Sequence, residues 1–241
     1  MARQRAAQNP PSRSPYLRLE TYSHFAILVA ILIAIAWIGW WADEENRAAT
    51  WLVVMILMAA FLIVTGRAIT ESWRGILIDS RNKMSLSRLQ IMAWSVLVLS
   101  ALLTGATSNV RLGTETPLNI SVPSQLWIVM GISTASLVTA PALLRAKPAG
   151  MVVKRVEPTA AEWSDLFKGE ETGNAANVDF AKLQMFFFTF VLILGYGAAV
   201  AASFRAEGLI TSLPRVDEGM YVLLGISNTG YLASKAVTHT D

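Results

Sequence analysis

Residues 126–133 read LWIVMGIS and residues 220–227 read MYVLLGIS, an offset of 94 positions. At that same offset Arg88-Leu89-Gln90 matches Lys182-Leu183-Gln184, and Ser95 matches Thr189. In the longer stretch Gly, Ile and Ser are identical, and every other pair exchanges one apolar or aromatic residue for a similar one. Two separate segments agreeing at one offset are hard to attribute to hydrophobic bias alone. The chain therefore reads as carrying a duplicated hairpin. Each copy has a basic residue, Leu-Gln, an outward helix, a short loop and a returning helix with Gly-Ile-Ser.

Composition says what surrounds that hairpin. The 241 residues are 54% hydrophobic and only 15% charged, with a mean hydropathy of +0.45. An ordinary soluble domain carries about 25% charged residues. The thinned charge excludes a disordered chain and a nucleic-acid-binding surface. With no cysteine there is no disulfide scaffold, thiolate nucleophile, iron–sulfur centre or cysteine zinc site.

A helix crossing the hydrocarbon core needs about 17–25 apolar residues. Runs at 25–41, 51–66, 89–105, 126–144 and 183–204 qualify plainly. A sixth, 220–237, is more polar, with Ser227, Asn228 and Lys235 in it. Its first half is as apolar as the others, and a lysine in the last turn can snorkel to the interface. With the N-terminus in the cytoplasm, sixteen of the twenty Lys and Arg residues fall on cytoplasmic segments. The outer segments hold only Arg47, Arg111, Arg205 and Arg215. That asymmetry predicts six spans with both termini inside. Trp37, Trp40, Trp41, Trp51, Trp127 and Tyr221 fall at the expected headgroup levels, where such rings anchor helices. The first run lacks a small-x-small cleavage site and reads as a retained anchor. The Asn119-Ile120-Ser121 sequon matters only where N-glycosylation occurs; short loops and no cysteine favour a bacterial inner membrane.

The expected fold is an all-α integral membrane protein of six transmembrane helices, an N-terminal hairpin plus two tandem repeated hairpins. Both repeats enter from the same side, which predicts a parallel pseudo-two-fold axis along the membrane normal. The expected organisation is a flexible basic arm (1–24), a first hairpin (25–66) and an amphipathic connector (67–88). Repeat hairpins at 89–144 and 183–237 follow, separated by a loop (145–182), and 238–241 forms the tail. The first hairpin has no counterpart and is expected outside the four-helix core or at oligomer contacts.

Within the spans, Gly131, Ser133, Gly225 and Ser227 read first as packing notches where helices approach closely. The alternative is a polar path, joined by Asn228 and by Gln90 and Gln184 near the cytoplasmic ends. In the connector, Ile69, Trp73, Ile76 and Leu77 are spaced as on a helix lying on the membrane. Ser85 or Ser87 suits the cap of the third helix. Arg81, Lys83 and Arg88, with Trp73, are expected at lipid headgroups or a partner. In the 145–182 loop, Trp163, Leu166 and Phe167 give one amphipathic turn beside Glu170 and Glu171. That acidic turn suits protein better than anionic lipid, either the 67–88 segment or another subunit.

Catalytic signals are missing from the sequence. His24 and His239 lie at opposite ends without metal-ligand spacing. Asp79 and Asp179 precede the two Leu-Gln pairs at different distances, so they are not a matched carboxylate pair. No phosphate loop, metalloprotease helix or nucleophile elbow occurs. No cofactor or metal is implied, and no ionisable residue lies deep in a span to couple ions. The expectation is a non-enzymatic membrane scaffold or anchor, in an oligomer or membrane complex with a cytoplasmic protein partner and no nucleic acid. An oligomeric channel is the alternative.

Overall fold

The computed structural model describes residues 15–148 and 150–238, with side chains described from Tyr22 onward. The first fourteen residues of the basic arm, and His239 with the end of the tail, lie outside the described residues. Six α-helices form: α1 (Pro15–Trp40), α2 (Arg47–Thr70), α3 (Leu86–Arg111), α4 (Ser124–Arg145), α5 (Phe180–Ser203) and α6 (Glu218–Ala236). The first five contain segments long and apolar enough to cross a membrane; α6 does not reach that apolarity. Among the described residues there is no strand, only isolated bridges.

Helix starts follow from capping. Ser85 accepts from the Arg88 N–H to open α3, and Asp179 accepts from the Lys182 N–H to open α5. Each satisfies one donor left over in a first helical turn. Pro123 precedes α4 and Asp217 caps α6. Both pairs of caps, 85 with 179 and 123 with 217, are separated by the offset of 94 found in the sequence.

Helix α3 packs on α4 and α5, and α6 packs on the same two helices, closing a four-helix ring. The α1–α2 hairpin lies outside that ring, against α3. There the Trp51 indole N–H donates to the buried Ser100 hydroxyl at 3.0 Å. The main core is aromatic and aliphatic: Trp51, Trp94, Tyr196 and Phe204 pack with Leu126, Val129, Leu192 and Leu224. A second cluster, with Leu77, Met84, Leu166, Met185 and Tyr231, lies at the end carrying the two long connections.

The amphipathic helix expected over 67–88 does not form. Helix α2 runs on to Thr70, the chain turns at Glu71 with φ 59°, and a short 3-10 turn follows at Gly75–Leu77. The cause is a backbone crossing. A Cβ on Gly66 would fall on the Ile76 amide, and one on Gly75 on the Gly66 carbonyl. Two glycines let α2 and the 3-10 turn touch, which forces the chain to fold back. The helical spacing is thereby split: Ile69 is 76% exposed and Trp73 61%, whereas Leu77 is buried.

The opposite end is tied by backbone and by Arg47. The Ser121 N–H donates to Thr211 O at 2.8 Å, and the Leu213 N–H to Ser121 O at 3.0 Å. Asn109 holds Ile210 through both its amide atoms. Arg47 is buried at the start of α2 and donates to the carbonyls of Phe204, Ala206 and Gly208. Carbonyls past the end of a helix lack intrahelical partners and carry the negative end of its dipole, so a cation suits them.

Candidate functional site

The most elaborate side-chain chemistry lies where the two long connections meet. Two turns of similar build face each other. In the first, the Ser85 N–H donates to Leu77 O at 2.8 Å and the Asp79 N–H to Lys83 O at 2.9 Å. In the second, the Asp179 N–H donates to Phe167 O at 2.8 Å and the Gly169 N–H to Asn177 O at 3.2 Å. Each turn feeds directly into its capped helix, α3 or α5. Residues 151–156 run between them. Val153 donates to Glu170 O, Thr172 to Met151 O and Arg155 to Arg81 O, all near 3 Å. Asn82, in the left-handed region at φ 59°, aims its amide at the carbonyls of Arg155 and Val156.

The tips carry opposite charge. Arg81 bonds Asp79 at 2.6 Å within its own turn and reaches Glu170 across the gap at 3.1 Å. Glu170 also pairs with Lys182, at 3.0 Å, and with Lys235 at the end of α6. Lys182 donates further to the Asp165 and Lys168 carbonyls. Asp165 pairs with Arg155 at 3.0 Å and lies 3.8 Å from Lys83. Lys147 closes the edge, bonding Glu171 at 2.5 Å and Val237 O at 2.6 Å. Lys83, Asp165, Glu170, Glu171, Lys182 and Lys235 are all buried. Buried ions are tolerated when paired, as these are.

The electrostatics follow the geometry. Burial, reinforced by the nearby Lys182 ammonium, pushes the Lys83 amine down to about 8. Burial alone would raise the Asp165 carboxyl. The Glu162 backbone N–H and the Arg155 guanidinium outweigh that and hold it below the usual carboxylate range. The bond to Asp165 raises Arg155 further. The Ser164 hydroxyl, then Arg155, lowers exposed Glu162. Every lysine amine in this layer is bound to a carboxylate or carbonyl. The arrangement locks two chain segments together and presents no free nucleophile.

The residues singled out in the sequence therefore scatter. Arg81, Lys83, Glu170 and Glu171 turn inward into the ion-pair layer, and Arg88 is half-buried beside it. Leu166 is buried, and Phe167 packs edge-on against Phe186 at 5.1 Å. Trp73, under the Arg67 guanidinium at 4.5 Å, and Trp163 remain exposed. Lys235 does not snorkel outward; it is 4% exposed and turned to Glu170.

In the bundle, Gly131 is exposed and a Cβ there would meet open space, while one on Gly225 would meet only Ile132, at an ordinary 3.7 Å. Neither is a packing notch within the chain. Ser133 is buried and donates to its own helix at Val129 O, while the buried Ser227 hydroxyl has no partner. Asn228 does join two helices, accepting from Ser136 on α4 at 2.5 Å and donating to Leu224 O. Gln90 is fully buried with both amide atoms unpartnered, but its counterpart Gln184 is exposed.

Sequence reasoning missed Asp79, Lys147, Arg155, Asp165 and Lys182 as members of one layer, and Arg47 at the other end. The acidic and basic runs signalled charge. Which tip meets which depends on the 151–156 segment threading between them, and no periodicity reports that. No protein-family model, curated protein or solved structure matches the chain.

Proposed function

We propose that this chain is a non-catalytic integral membrane scaffold, a subunit of a membrane complex that presents a rigid cytoplasmic cap to a protein partner. The observation that carries the reading is the buried ion-pair layer. It ties both long connections to each other and to α5 and α6, leaving Trp73, Trp163 and Val156 facing outward. A cap built this way holds an exposed surface in fixed geometry, which docking requires and lipid anchoring alone does not.

The membrane topology is part of the proposal. Six helices span a bacterial inner membrane with both termini cytoplasmic, as the basic-residue asymmetry requires. Helix α6 is read as the sixth span because four of its polar residues turn inward, while Thr229 stays exposed and bonds its own helix at Gly225 O. Ser227, Asn228, Tyr231 and Lys235 are buried, whereas Val222, Leu223 and Ile226 are exposed. Its 19 residues reach about 28 Å at 1.5 Å per residue, close to the hydrocarbon thickness. The α3–α5 and α4–α6 contacts, with the shared cap offset, support two parallel hairpins related by a pseudo-two-fold axis.

Photo-crosslinking in native membranes tests the scaffold. A crosslinker at Trp163 or Val156 is expected to capture a discrete soluble protein, and one at Val222 only lipid. Purified protein in liposomes is expected to pass no small ions. Ion flux, with no adduct at Trp163 or Val156, would replace the scaffold by a channel. One observation favours that second reading: Gln90, Trp94, Thr189 and Tyr196 hold buried polar atoms without partners on the facing α3 and α5 helices. Such groups are costly in a dry interior and are ordinarily satisfied by water.

A further inference from the structure

We propose that the cleft at the end of α4 binds the phosphate of an anionic membrane phospholipid; the site rests on the membrane-spanning reading. A cavity of about 200 Å³ opens there. Its cationic side is Arg81, at the tip of the first turn, with Arg145 and Lys154; Pro141, Leu144 and Val152 form an apolar wall. Ser80 adds a hydroxyl beside Arg81.

The three cations are not equally engaged. Arg81 commits Nε and Nη2 to Asp79 and Glu170, but its buried Nη1 has no partner. Arg145 and Lys154 are exposed, and neither side chain has a hydrogen bond or ion pair among the described residues. The carboxylates that neutralise the rest of this end, Asp165, Glu170 and Glu171, are already occupied by other cations. An unneutralised positive charge therefore remains at this cleft.

A guanidinium presents a planar fork that matches two phosphate oxygens, and the lysine ammonium adds a point charge. The apolar wall distinguishes a lipid from a soluble anion. Leu144 and Pro141 close the last turns of α4, whose side exposes Val138. A phosphate carried on glycerol and acyl chains covers the cations and the wall together. A free anion covers only the cations. Zwitterionic headgroups bring an ammonium group against Arg145 and Lys154 and are disfavoured.

The test uses the full chain in phosphatidylcholine nanodiscs containing a minor fraction of phosphatidylglycerol, with native mass spectrometry of the lipids that remain bound. Wild type is expected to retain phosphatidylglycerol over phosphatidylcholine. Each basic residue near a membrane surface is worth about a fivefold change in binding, so R145A/K154A is expected to lose well over tenfold. R145K/K154R keeps both charges and is expected to retain the lipid. R205A/R215A removes the same charge at the opposite end and is expected to change nothing. Should R145A/K154A fold poorly, Ser80→Glu at the cleft mouth supplies the same readout. Equal retention in R145A/K154A and wild type overturns the site. Displacement of phosphatidylglycerol by millimolar inorganic phosphate, with the same dependence on Arg145 and Lys154, overturns the lipid in favour of a soluble anion. A chain that alkaline carbonate releases from native membranes fails the membrane reading itself, a separate result.

Discussion

The turn at 77–85 and the turn at 167–179 are built alike and charged oppositely. In both, the residue that caps the next helix donates its N–H back across the turn, and an isolated bridge sits just before it. Each follows a tryptophan four residues upstream, Trp73 before Leu77 and Trp163 before Phe167. The second turn is longer by four residues, and its tip carries Glu170 and Glu171 where the first carries Arg81 and Lys83. A shared backbone frame with divergent tips converts two similar units into a complementary pair. In the proposed duplication, the divergence of charge is what lets the copies bind each other.

Breaking that pairing should have the largest effect. Glu170→Ala leaves Arg81, Lys182 and Lys235 without their common carboxylate. Removing one member of a buried ion pair typically costs about 3–5 kcal/mol. Thermal unfolding in detergent is expected to show a loss of that order. A loss under about 1 kcal/mol, the range of exposed pairs, would mean that the layer is wet and the lock is loose. Exchanging the tips, Arg81→Glu with Glu170→Arg, is expected not to rescue stability. It restores attraction between the turns but sets Lys182 and Lys235 against a cation.

The two ends of the bundle use different solutions for buried cations. At the capped end, lysines meet carboxylates; at the other, Arg47 meets only carbonyls and the Ser108 hydroxyl. Arg47→Met is expected to cost about 1–3 kcal/mol, the penalty for leaving buried acceptors unpaired. No buried counter-charge is stranded, so the loss should be smaller than for Glu170→Ala. A loss equal to it would show that the 204–208 turn depends on Arg47 for its fold.

Much of the helical layout is legible in the sequence because hydrophobic length and capping are local properties. The runs at 89–105 and 183–204 mark α3 and α5, and Ser85 is one of the two caps expected for α3. The 67–88 connector departs from its expected helix for a physical reason. A spacing of four, three and one is helical only if the backbone stays helical, and the Gly66–Gly75 crossing folds it back. The candidate site is half legible. Glu170, Glu171, Arg81 and Lys83 stand out as charge, but their burial depends on tertiary pairing between residues about ninety positions apart.

The asymmetry between the tips also predicts a pH effect. Lys83 sits at about 8 in the folded protein, below the ordinary lysine value of 10.5. Between those values the unfolded chain binds more protons than the folded one, so stability rises with pH. From pH 7 to pH 9 that contribution is about 1 kcal/mol. Wild type is expected to gain stability over this window relative to Lys83→Met, which has no amine to release. Parallel curves for the two proteins would mean that Lys83 is solvated and its tip is not buried against Gly169 and Asp165.

The smallest effects are expected at the two glycines of the sequence match at offset 94. Gly131 has open space around it, and Gly225 only an ordinary contact with Ile132. Alanine at either position gains helix propensity, worth about 0.5–1 kcal/mol, and meets no clash. Both variants are expected to match or slightly exceed wild-type unfolding temperature. Gly75→Ala, by contrast, drives a methyl into the Gly66 carbonyl and is expected to destabilise. The informative exception is a Gly131→Ala variant that keeps its monomer fold but loses its oligomeric size in detergent. A second copy would then pack on the open face of α4, and the Gly-Ile-Ser signature would serve assembly in one hairpin while Ser227 serves the core of the other.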